Sequence, residues 1–380
     1  MTRRLMPICA LLLFASALFA SGAATSDHNP AGLTVHEWGT FTAVAGEDGR
    51  PVQWFALSGP ADLPCFVKRA PGIPDKSRLW ATVRMETPVL YFYSPGETKV
   101  DVNVRFPLGL MTEYFPPAAV RGGSISWPDV RVTPGGAAGF PVEEGTSHYY
   151  LARETAAAPL RVGSDSERFL FYRGVGSFPL PIAATIDASG DVIVTNQNGQ
   201  PIGTVVLFEN YRGAIGYRVV DLQAKTTAIR RPQAGTPLSS LTAELEQLLT
   251  GHGLFPKEAA AMVATWRESW FEEGTRLLYV MPSQAVDAVL PLRIRPRPAD
   301  IVRVFVGRLE VITPEILEEV SQAARQSEKT SLSKYARFLH PITDRIAAAS
   351  TSPDRVMVEQ RLRSVAASFT TAAESSACAR

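Results

Sequence analysis

Residues 99–106, KVDVNVRF, alternate without a break. Val100, Val102, Val104 and Phe106 fall on one side of an extended chain, and Asp101, Asn103 and Arg105 fall on the other. That period of two is the signature of a strand with one face on a core and one in water. Around it lie other short runs rich in aromatic and β-branched residues, at 80–93, 148–154 and 168–174. Residues 184–221 read as a meander, with Ser189-Gly190 and Asn198-Gly199 where tight turns need residues tolerant of positive φ. The Gly- and Pro-rich stretch 120–145 reads as a loop. Many short strands with no helical pattern between them predict one or two antiparallel β-sandwich-like units across residues 33–230.

The period changes beyond residue 235. Leu238, Leu241, Leu245, Leu248 and Leu249 follow helical spacing, with Pro237 at the helix start. A second helix over 256–274 carries Ala259, Met262, Val263, Trp266 and Trp270 on one stripe. Strands return at 275–282, 289–296 and 301–312. Thr313-Pro314-Glu315 and Ser352-Pro353-Asp354 each combine a cap, a first-turn proline and an acid that suits the helix dipole. They announce two helices, with another between them near 331–339. The expected fold class is therefore mainly β with α additions. Its organisation is a β-rich region over 33–230, a helical hairpin with returning strands over 236–312, C-terminal helices over 313–369 and a disordered tail over 370–380.

The first 24 residues have a different character. A basic start with Arg3 and Arg4 precedes the apolar run LMPICALLLFASALFA, and ASGAA supplies small residues for cleavage. This is the pattern of a signal peptide, too short and too small-ended for a membrane span of about 20 residues. Export to the periplasm or the extracellular space is expected, with no transmembrane segment after cleavage. The net charge of +1 falls to −1 without the leader, so no basic face invites nucleic acid. Cleavage would leave Cys65 and Cys378 as an even pair in a compartment that permits disulfides. They could bridge, or Cys65 could be a buried apolar residue and Cys378 part of the tail.

Little in the sequence advertises chemistry. His36 and Glu37 are neighbours on a strand and so point to opposite faces; the second histidine of a zinc-protease helix is replaced by Thr40. Glu37 falls in line with Val35 and Phe41, an acid on an apolar face that needs a partner. Arg84 and Glu86, on one face of the 80–93 strand, are the candidate partners. A cluster of Glu37, Arg84 and Glu86 reads as a structural network or as a carboxylate pair of the kind that hydrolyses glycosides. Ser147-His148 lacks a nucleophile elbow. His148, Tyr149 and Tyr150 are better candidates for packing or for stacking on a ligand. Arg293, Arg295 and Arg297, with Arg303 and Arg308, form a prospective basic strip. No metal motif and no cofactor motif is present, and none is expected to be bound. These observations point to an exported binding or interaction protein whose partner is another protein or an envelope component. The alternative is a secreted hydrolase working through Glu37 and Glu86.

Overall fold

The computed structural model describes residues 32–57, 63–73, 79–136, 139–145, 147–349 and 353–375. The leader and Cys378 lie outside them. A nine-stranded sheet runs through the molecule in the order Ala214–Leu222, Gly203–Tyr211, Gly274–Val280, Asp300–Val311, Thr34–Val44, Val83–Tyr93, Leu170–Gly176, Gly109–Phe115 and Lys68–Arg69. Every neighbouring pair is antiparallel except the central one, where Thr34–Val44 runs parallel to Asp300–Val311. The sheet therefore joins strands from both sides of residue 235. The boundary placed there marks a change of period, not a break in the core. Gly235 and Thr236 both donate to the Ile215 carbonyl, which ties the connecting segment to the edge strand.

A six-stranded sheet covers one face. Its main path is Asp165–Glu167, Leu160–Val162, Ser124–Val132, Thr98–Arg105 and Leu292–Arg295, and Ala119–Arg121 also pairs with Ser124–Val132. The alternating Val100, Val102 and Val104 point inward with Ile125 and Trp127, against Val35, Phe41, Leu90 and Leu309 of the large sheet. This is the sandwich that the alternation foretells. It includes a strand where a loop was expected within 120–145, because the ladder is irregular opposite Pro128-Asp129. Asp129 takes φ 53 there, which lets a proline sit inside a paired strand.

Helices cover the other face. Leu238–Gly251 and Pro256–Trp270 lay Leu241, Leu245, Met262, Trp266 and Trp270 on Trp38, Val89, Val304 and Val306. Each such side chain, fully buried, contributes about 1.5–3 kcal/mol. Beyond them Pro314–Gln326, Leu339–Ala349 and Arg355–Ser375 pack with Val44, Trp54 and Val175 in a third cluster. Thr313 caps the first of these helices, its hydroxyl accepting from Ile316 N at 3.3 Å. No helix among the described residues is long and apolar enough to cross a membrane.

Three local expectations fail. Residues 148–153 form a 3-10 turn, not a strand. Val192–Asn196 pairs within a separate three-stranded sheet while Gly203–Tyr211 joins the large one, so Asn198-Gly199 links two sheets and makes no hairpin. Residues 370–375, expected to be disordered, continue the last helix.

Candidate functional site

The central strand puts Val35, Glu37, Phe41 and Ala43 on the sandwich side, and His36, Trp38, Thr40 and Thr42 on the helix side. Glu37 lies opposite Leu90. A regular ladder would carry Glu86 opposite Phe41, on the same face as Glu37. Instead the register shifts between Trp38 and Thr40, and Glu86 lies opposite Thr40. The extra residue on the second strand is accommodated at Thr87, which takes φ 45, and Pro88. Gly39 makes room for it: a Cβ there would meet Pro88 Cα at 3.1 Å and the Phe305 ring at 3.0 Å. One bulge thus turns Arg84 and Glu86 to the opposite face, and the expected Glu37–Arg84–Glu86 cluster does not form.

Each carboxylate finds other partners. Glu37 is fully buried; Tyr172 Oη donates to it at 2.6 Å and Arg303 Nε at 2.6 Å, with Arg303 Nη2 also 2.6 Å away. Arg303 is the cross-strand neighbour of Glu37 in the parallel pair, which explains its reach. Burial first, and then the Glu37 charge, push the Tyr172 phenol well above its ordinary range. On the far side of the sheet Glu86 lies 3.4 Å from Arg337 Nη1 and 3.8 Å from Arg84 Nε. Burial, the largest influence, raises its pKa, but Arg337, Arg84, Arg308 and the Thr42 hydroxyl together bring it down to about 2. The network continues through Arg308 to Glu272 at 2.5 Å and Glu310 at 2.6 Å, and from Glu310 to Arg276 at 2.6 Å. Glycoside hydrolysis needs two carboxyl groups facing one cleft about 5–9 Å apart, with one raised in pKa to act as the acid. Here the two face away from each other across a sheet, and Glu86 is shifted the wrong way.

The basic strip disperses as well. Arg303 lies in the sandwich and Arg308 under the helices, while Arg293 and Arg295 are exposed on the smaller sheet opposite Asn103 and Asp101. Tyr149 is buried, its hydroxyl donating to Glu167 at 3.1 Å, and Arg153 clamps the same carboxylate at 2.6 Å. Tyr150 stacks under that guanidinium at 4.9 Å, and His148 lies 6.0 Å from the Trp266 ring. The trio is part of the fold's packing. Cys65 is disulfide-bonded, with its partner outside the described residues. Among the described residues no group of three His, Cys, Asp or Glu could hold a metal ion.

A different place stands out. His36 Nδ1 lies 2.6 Å from Glu258 Oε2, and that oxygen also accepts from Phe255 N at 2.9 Å. Glu258 therefore closes the first turn of its helix and ties it to the sheet. The His36 ring packs at a tilt against Phe255 and Tyr93, centroids 4.5 and 5.3 Å away. Tyr93 forms part of the wall of a cavity of about 640 Å³, whose lining includes Pro95, Pro134, Ala157, Pro159 and Arg168. Burial first, then the Glu258 charge, push the Tyr93 phenol far above its ordinary range. Arg168 stacks on Phe140 at 5.3 Å and Nη1 donates to the Ala157 carbonyl at 2.7 Å. Unlike Arg153, Arg276, Arg303 and Arg308, it pairs with no carboxylate among the described residues. Sequence reading missed this site because Tyr93, Arg168 and Glu258 come from three distant segments. The one local signal was Glu258 at the third position of a helix opening on proline. Comparison of the chain with family models, curated proteins and solved structures gives no match.

Proposed function

We propose that the chain is an exported, non-catalytic binding protein of the cell envelope, and that the cavity beside Tyr93 and Arg168 is where it recognises its partner. One observation carries the reading: the carboxylates that looked able to do chemistry, Glu37 and Glu86, are separated by the sheet and each is neutralised by arginine. They hold the two faces of the scaffold together. The cavity has the size of a small-ligand pocket, which typically spans about 300–1,000 Å³. Its wall carries a guanidinium that pairs with no carboxylate among the described residues. The leader sequence supplies the case for export. The test is N-terminal sequencing of the protein from its native host after cell fractionation. A mature start next to Ala23 or Ala24 in the envelope or medium is expected. A cytoplasmic protein that keeps Met1 would overturn the export half of the proposal, and turnover of a substrate that depends on Glu37 or Glu86 would overturn the other.

A further inference from the structure

We propose that the cavity beside Tyr93 takes the carboxylate of a monoanion with a small apolar body, held end-on by Arg168. The inference rests on the binding reading above and names its ligand class. Three features carry it. The first is the state of the guanidinium. Nη1 is held by one carbonyl, Nε is buried without a partner, and Nη2 bonds to nothing among the described residues while not being buried. Stacked on Phe140 and tethered at Ala157, the group is fixed before any ligand arrives. Nη1 keeps one N–H beyond its bond to Ala157 and Nη2 keeps both of its own, donors that a planar carboxylate accepts.

The second feature is charge. Arg168 is the only cation among the described residues of the cavity wall. A single guanidinium suits one negative charge and offers a phosphate dianion no second cation. The third is the lining. Pro95, Pro134, Pro159 and Ala157 offer rigid apolar surface, and Gly135 and Gly136 let backbone approach closely without side chains. Such walls accept short aliphatic or alanine-like bodies.

The experiment is titration calorimetry on the mature protein with hexanoate and with N-acetyl-Ala-Ala, each beside its uncharged amide, and with inorganic phosphate. Both carboxylates binding points to the shared carboxylate chemistry. Hexanoate alone assigns an aliphatic acid, and the dipeptide alone assigns a peptide C-terminus. Arg168→Gln is expected to weaken binding at least about tenfold, the scale of one lost charge-assisted hydrogen bond. Ala156→Phe, at an exposed lining position, is expected to block the cavity while leaving Arg168 in place. Thermal melts of both variants establish that they fold; if Arg168→Gln does not, Ala156→Phe decides. The proposal fails if no carboxylate binds, if the amides bind as well as the acids, if phosphate binds as tightly, or if folded variants bind like the parent. Failure in these arms leaves export and the absence of turnover standing, and so is distinct from failure of the broader reading.

Discussion

Glu86→Gln is expected to lower the stability of the fold by about 3–5 kcal/mol at neutral pH, the range for breaking a buried pair from one side. The amide keeps the shape but removes a fully buried negative charge that lies beside Arg84 and Arg337, with Arg308 close by; Glu272, 3.7 Å from Arg337, is partly exposed. Typical domains hold a margin of about 5–15 kcal/mol, so the loss is a large part of the whole. The pH dependence follows from the same geometry. Glu86 is depressed from 4.5 to about 2 in the folded protein. A depressed carboxylate contributes its full stability above the unfolded value and loses it as pH falls through the folded one, so the window is between 4.5 and 2. The shift corresponds to about 3 kcal/mol. Denaturant unfolding of both proteins at pH 7, and at steps from pH 5 to pH 2, measures this. The gap between parent and variant should be wide at pH 7 and close in that window. A variant that melts with or above the parent at pH 7 would mean that Glu86 is strained, as catalytic acids often are, and would reopen the enzyme reading.

What the sequence showed and hid can be traced to single residues. Alternation placed Glu37 on the core face with Val35 and Phe41, and that holds, because a strand's period of two is fixed by the backbone. It also placed Arg84 and Glu86 together, and they do share a face. What alternation could not supply was the relation between the two strands. A single bulge at Thr87-Pro88 flips everything beyond it, and a threonine at φ 45 has no local signal strong enough to announce it. The true partner, Arg303, stands 266 residues from Glu37. Its position depends on a parallel pairing between the first and last strands of the sheet, and nothing local encodes a pairing at that distance. Helices were legible because their signals are local: Thr313-Pro314 starts one where it should. The cavity combines both difficulties. Tyr93 looked like the end of a strand and Arg168 like the start of another, and only the folded sheet brings them to one wall.

Glu37→Gln should produce a second large loss, again about 3–5 kcal/mol, and here the design can separate charge from shape. The carboxylate receives the Tyr172 hydroxyl on one oxygen and two Arg303 nitrogens near the other. A glutamine amide has one acceptor oxygen and one donor group. Turned with its oxygen toward Arg303, it can donate its NH₂ to the Tyr172 hydroxyl, which also accepts, so the shape survives and the negative charge is what is lost. Asp287, at 2.6 Å on an exposed side chain, would be the carboxylate left to Arg303 among the described residues, and a single exposed partner does little for a buried cation. The triple variant Glu37→Leu, Arg303→Met, Tyr172→Phe removes the three buried members of the group, leaving the exposed Asp287 to solvent, and puts apolar side chains of similar size in a core already lined by Val35, Leu90 and Phe92. Replacing a whole buried ionic group in this way is often neutral or stabilising. The triple variant should therefore recover most of what the single one loses, as read by the midpoint of denaturant unfolding. If the triple variant is as unstable as Glu37→Gln, the loss comes from packing and not from the uncompensated Arg303 charge. If Glu37→Gln alone is as stable as the parent, Glu37 is not holding the central parallel pair together, and its place in the middle of the sheet would need another explanation.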